Sequence, residues 1–117
     1  MRHSLVGLLL AETVGFFVVM AAPPLLAQTQ DAAFFEAKIR PVLTQNCYGC
    51  HNSSMVAPKG GIMLDTKEGL RGVVVPGKPA ESRLMEVLSY EDPVVQMPPK
   101  GKLSDAVLAD FKTWIAA

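Results

Sequence analysis

Two thiols and one imidazole stand within five residues, Cys47-Tyr48-Gly49-Cys50-His51, and no other stretch concentrates so much ligand chemistry. Residues three apart face one way when the last turn of a helix runs through them. Cys47 and Cys50 can therefore reach the two vinyl groups of one porphyrin, with His51 directly beneath its iron. The spacing predicts a covalently attached haem with His51 as axial ligand. The chain has two histidines, and the other, His3, lies in a leader expected to be removed.

The same scarcity weighs against rival chemistries. A structural zinc site needs four Cys or His ligands in paired clusters, whereas the chain has two cysteines in all. Carboxylates could complete a site, but their spacing points to none. A redox-active Cys-x-x-Cys pair belongs in a βαβ context, and no Val/Ile-rich strand pattern precedes this one. The longest β-branched run, Val73-Val74-Val75, meets Pro76. A plain disulfide between Cys47 and Cys50, in an exported protein, would leave His51 accidental.

Export is expected from the first 27 residues. Arg2 opens a short basic region, an apolar segment follows from Val14 to Ala22, and Leu25-Leu26-Ala27 places a small residue before the cut. Residues 1–27 thus read as a signal peptide, with residues 28–117 as one domain in the periplasm or another extracytoplasmic space. The alternative is an uncleaved membrane anchor, for which Leu5 to Leu26 nearly supplies the roughly 20 apolar residues a span needs. Glu12 interrupts that run and Pro23-Pro24 opposes a spanning helix. Gln28, not Cys, follows the cut, so no lipid attachment point is expected there.

Without the leader, about 90 residues remain, small for an independent core unless a buried cofactor enlarges it. The leader removes one base, Arg2, and one acid, Glu12, so the balance of 11 basic and 11 acidic residues persists in the mature chain. No basic stripe suggests nucleic acid as a partner.

The elements that must position the motif read as all-α with long loops. Asp31 is expected to cap a helix carrying Phe35, Ile39 and Val42 or Leu43 on one face, with Pro41 bending or ending it. Residues 52–61 are rich in Ser, Pro and Gly and read as loop. One or two helical turns are expected over Leu64 to Leu70, ended by Gly72. Pro79 or Ala80 is expected to open a helix with Leu84, Val87 and Leu88 on one face. Residues 90–101 hold three prolines and read as loop. Ser104 caps the last helix, with Asp105 in its first turn and an apolar stripe of Val107, Leu108, Phe111, Trp114 and Ile115.

Met97-Pro98-Pro99 in that proline-rich loop is the second chemical feature. A thioether is a soft ligand suited to haem iron, and prolines after it limit the freedom lost when sulfur binds. Met55 lies too close to His51 to reach the opposite haem face easily, and Met85 sits beside Leu84 on an expected helix. Met97 is the candidate sixth ligand and Met63 the alternative.

Phe35-x3-Ile39-x-Pro41-x-Leu43, Cys47-x2-Cys50-His51, Gly60-Gly61 with Leu64-Asp65, Val75-Pro76-Gly77-Lys78-Pro79-x2-Ser82-x-Leu84, Met97-Pro98-Pro99 and Leu103-Ser104 with Trp114-Ile115 together resemble the planctomycete-type cytochrome c domain. The Met-Pro-Pro segment followed by a capped helix with Trp also resembles the small class I monohaem cytochromes. This resemblance implies one haem c per chain, bound covalently by Cys47 and Cys50, with iron held by His51 and Met97. It also implies a small class I-like helical fold whose first and last helices cross, here through Phe35 and Trp114. The chain departs from the family at Gly72-Val73-Val74-Val75, several residues short of the usual Gly-rich link.

Two functional classes follow. In an electron-transfer protein, protein atoms fill both axial positions and no substrate reaches iron. Such a protein would be a soluble carrier, or a haem subunit of an extracytoplasmic oxidoreductase, exchanging electrons with redox partner proteins. The alternative is a haem sensor or peroxidase-like enzyme with a displaceable distal ligand. The Met-Pro-Pro segment favours the first, and no catalytic residues are expected. A membrane is a partner only if the leader stays uncleaved.

Overall fold

Apolar residues recurring at three- and four-residue intervals build four short helices around one core, and the computed structural model describes them over residues 31–117. The expected leader, 1–27, lies outside the described residues. Among the described residues there is no strand, so the fold is all-α. None of their helices is long and apolar enough to cross a membrane.

The chain is helical from 31 to 46, but its hydrogen bonding changes on the way. Phe35–Ile39 form a π-helical turn, where the Arg40 N–H donates to the Phe35 carbonyl, and α1 continues as Arg40–Asn46. Pro41 falls in the first turn of α1. A missing N–H is tolerated there, so the helix runs past Pro41 instead of ending at it. Asp31 is itself helical and does not stand outside the helix as its cap. Ile39 and Leu43 face the core and are fully buried.

Lys67–Arg71 form α2, within the stretch where one or two turns were expected. Thr66 caps it, its hydroxyl accepting from the Gly69 N–H at 3.0 Å. Gly69 is required by close packing: a Cβ there would lie 1.6 Å from the Met63 carbonyl oxygen. Gly72 ends the helix at φ −71°, a value open to any residue.

The single helix expected from Pro79 or Ala80 is two pieces. A 3₁₀ turn, Pro79–Glu81, is followed by Ser82 in extended conformation and then by α3, Arg83–Leu88. Ser82 is 1% exposed, and its hydroxyl accepts from the Val75 N–H at 2.9 Å and donates to the Lys78 carbonyl at 2.9 Å. A side chain serving loop backbone in this way competes with helix continuation. After the break, α3 buries Leu84, Met85, Val87 and Leu88.

The last helix, α4, spans Asp105–Ala116 with Ser104 as its cap and Asp105 in the first turn. Its buried face is Leu108, Phe111 and Ile115. Trp114 meets Phe35 with ring centroids 5.2 Å apart, which brings the first and last helices together. The Gly77 N–H donates to the Ile115 carbonyl at 2.7 Å and ties the Pro76–Pro79 turn to α4.

Candidate functional site

The Cys47–His51 motif lies just past α1, in a hydrogen-bonded turn and not in the helix itself. Cys47 and Tyr48 both donate N–H to the Leu43 carbonyl at 2.9 Å, closing the helix end. The Cys50 and His51 N–H groups then donate to the Cys47 carbonyl at 3.1 and 3.0 Å. The expected one-sided placement of the two thiols therefore survives the loss of helix, because one turn of i→i+3 and i→i+4 bonds still separates them.

The following loop is clipped back onto this turn. Lys59 N–H donates to the Cys50 carbonyl and Leu64 N–H to the His51 carbonyl, each at 3.0 Å. Farther out, the Asp65 carboxylate accepts from the Ser53 hydroxyl at 2.6 Å and from the Ser53 N–H at 2.9 Å. Those bonds, the hydroxyl first, hold the Asp65 carboxyl below its ordinary range. Asn52 bridges the two parts, its amide donating to the Tyr48 carbonyl at 2.5 Å.

Cys47, Cys50, His51 and Met97 line a single cavity of about 380 Å³, whose remaining wall is mostly aliphatic, with Leu64, Leu84, Val87 and Leu88 among it. Asn46, Lys59 and Arg83 bring polar side chains to that lining. The volume falls in the range of about 300–1,000 Å³ typical of ligand pockets. Met97 enters from the proline-rich loop, where its N–H donates to the Val87 carbonyl at 3.1 Å. Met63 does not line the cavity, and Met85 is buried in the core at 4% exposure.

The electrostatics at Cys47 oppose thiol redox cycling. Burial, and secondarily the charge of Cys50, pushes the Cys47 thiol up to about 11, whereas redox-active pairs lower one thiol below its ordinary value. The two sulfurs are not bonded to each other. Among the described residues, no three His, Cys, Asp or Glu side chains converge as a metal cluster. The His51 Nδ1 is buried without a hydrogen-bond partner. Such an atom is costly in the protein alone, and only a bond made at that nitrogen itself would offset the cost.

An apolar cavity holding one imidazole, one thioether and two thiols fits a haem and fits little else. Comparison with family models agrees: residues 47–101 match that of planctomycete cytochrome C. Those residues form a planctomycete-type cytochrome c domain. The match begins at Cys47 and ends at Gly101, so it contains all four candidate residues and α2 and α3, but neither α1 nor α4. No curated protein and no solved structure gave a match. A cytochrome c domain binds haem, and its chemistry is haem-based electron transfer.

Residue types and spacing did not single out the polar residues that hold the cytochrome domain's loops. Tyr90 donates its hydroxyl to the Pro98 carbonyl. Asp92 accepts from the Val94 and Val95 N–H groups at 2.7 and 2.8 Å and from Arg83 Nη2 at 2.6 Å. The available signal was Asp92 ahead of Pro93, since Asp before a turn often bonds backbone two residues on.

Proposed function

We propose that this chain is an electron-transfer protein carrying one haem c, bound through thioethers at Cys47 and Cys50, with iron held by His51 and Met97. The observation that carries this reading is the convergence of those four side chains on one apolar cavity. When bound, the haem supplies a one-electron ferric/ferrous couple.

The protein's own residues do the rest. Cys47 and Cys50 fasten the group to the end of α1, and His51 supplies the basic ligand. Met97, a soft thioether, favours ferrous iron and raises the potential. The aliphatic wall excludes water and so also favours the less charged state. With both axial positions taken by protein atoms, a substrate has no open place on the metal. The chain acts as a carrier or as the haem subunit of an extracytoplasmic oxidoreductase, exported by its leader to the periplasm.

The visible spectrum of full-length protein, made in a host that attaches haem, tests the proposal. We expect haem that survives acid-acetone extraction, a weak far-red sulfur-to-iron band in the oxidised form, and slow binding of carbon monoxide by the reduced form. Extractable haem would refute covalent attachment. Ready binding of carbon monoxide would put the sensor or peroxidase-like reading ahead.

A further inference from the structure

Met97 stands on an arm, residues 89–101, that has no regular secondary structure and little buried side-chain area to hold it. Val94 is 87% exposed and Val95 37%. Met97 packs against the core and Pro98 is buried, but residues 93–96 between them and Asp92 are exposed, so the arm's directional bonds must hold that stretch in place. Tyr90 starts the arm at φ 61°, a left-handed conformation uncommon for a residue with a side chain. Its hydroxyl reaches forward to the Pro98 carbonyl, immediately after Met97. The Met97 N–H is fixed to the Val87 carbonyl on α3.

Between these points lies Asp92. Asp92 Oδ1 gathers the Val94 and Val95 N–H groups at 2.7 and 2.8 Å, while Oδ2 accepts from Arg83 Nη2 at 2.6 Å. The Asp92 side chain is 15% exposed. Arg83 begins α3, the helix whose Leu84, Val87 and Leu88 form cavity wall, and its Nη1 is held by Glu86 at 2.7 Å. Asp92 thereby fixes the arm that carries the thioether in register with the wall beside it. Charge-assisted bonds of this kind are the strongest available to so open a segment.

We propose that Asp92 is a positioning residue for Met97, holding the thioether at iron by bracing the arm against Arg83 on α3. The proposal rests on the reading of Met97 as a ligand. With the brace intact the sulfur spends its time within bonding distance of the metal. Without it the arm opens, the iron gains a free position, and the global fold is little changed because the core lies elsewhere.

The test uses full-length, haem-loaded protein and follows two signals on heating: the far-red sulfur-to-iron band and the helical circular dichroism. Carbon monoxide binding by the reduced form is measured alongside. In Asp92→Ala the band should be lost well below the temperature at which helix melts, and carbon monoxide should bind about tenfold to a hundredfold faster than in wild type. Asp92→Asn, which keeps an acceptor for the two N–H groups but loses the charge facing Arg83, should fall between. Glu91→Ala, an exposed carboxylate next door, should match wild type. If Asp92→Ala keeps the wild-type band and rate, or loses band and helix together, the positioning role is refuted while Met97 ligation stands. If the wild type lacks the band, the ligation reading falls first and this proposal with it.

Discussion

The Cys47–His51 turn and the Met97 arm line the same cavity but are held there by different means. The turn is continuous with α1, the N–H groups of Cys47, Tyr48, Cys50 and His51 bond the Leu43 and Cys47 carbonyls, and Lys59 and Leu64 clip the following loop back onto Cys50 and His51. Behind it stand the fully buried Ile39 and Leu43. The arm instead leaves α3 as irregular chain, exposes Val94, and depends on Asp92, Tyr90 and one backbone bond to Val87. On the proposed ligation, one ligand is built into the architecture, and the other is carried on a removable part. Backbone bonding and core burial make the histidine side costly to alter, while the methionine side can change without disturbing the helices.

The largest effect should come from cutting into the built-in side. Replacing Cys47 and Cys50 together by Ala should leave a chain without covalent haem and, in so small a domain, with most of its cooperative thermal transition gone. Circular dichroism and haem staining of the same preparation check this. A stable, cooperative helical fold without haem would show that the cavity closes by itself and would erase much of the contrast.

A smaller, local effect is expected on the arm. Met97→Ala should abolish the far-red band, open the reduced iron to carbon monoxide and lower the potential by something of the order of a few hundred mV, within the roughly 0.8 V that axial ligands span. Helix content should stay near wild type. Met63→Leu and Met85→Leu should leave band and potential alone, and Met85→Leu, a volume-conserving change in the core, should cost less than about 1.5 kcal/mol. Loss of the band in Met63→Leu, and not in Met97→Ala, would assign the distal ligand to the wrong loop.

The contrast also explains what could be read from the chain in advance. Cys47, Cys50 and His51 are contiguous, so their chemistry is visible as spacing, and Met97 is marked by the two prolines behind it. The apolar stripe of α4 and its Ser104 cap were equally legible, because 3.6-residue periodicity and capping are local properties. The break at Ser82 was not, since it depends on Val75 and Lys78 coming within reach of one hydroxyl. Nor was the passage of the helix beyond Pro41, where the π turn before it and the proline's place in the first turn of α1 remove the usual conflict. Asp92 and Arg83 are nine residues apart, and neither shows its role until α3 and the arm lie side by side.

The smallest expected effect is a pH dependence confined to the arm. The Val95 and Val94 N–H groups, and then Arg83, hold the Asp92 carboxyl down at about 2. An unfolded aspartate titrates near 3.9. A depressed value stabilises the folded arm above about pH 4, and that contribution is lost as pH falls toward about 2. Asp65 and Glu36 are held low as well, so they share the acid sensitivity of the whole chain. The difference in far-red band stability between wild type and Asp92→Asn should therefore shrink steadily from pH 5 to pH 2, as read by acid titration at fixed ionic strength. A difference that stays constant over that range would mean the Asp92 charge is immaterial to the arm.

The half-buried Cys47 sulfur sets an order of events in the making of this protein. Held at about 11 by burial, it keeps its proton at neutral pH in the finished fold and is a poor nucleophile there. In an open chain the same thiol returns to its ordinary value near 8.5 and faces water. On the proposed haem attachment, bond formation at Cys47 is thus favoured before the helices close, and the architecture that would later shield the thioether also shuts off the route to it.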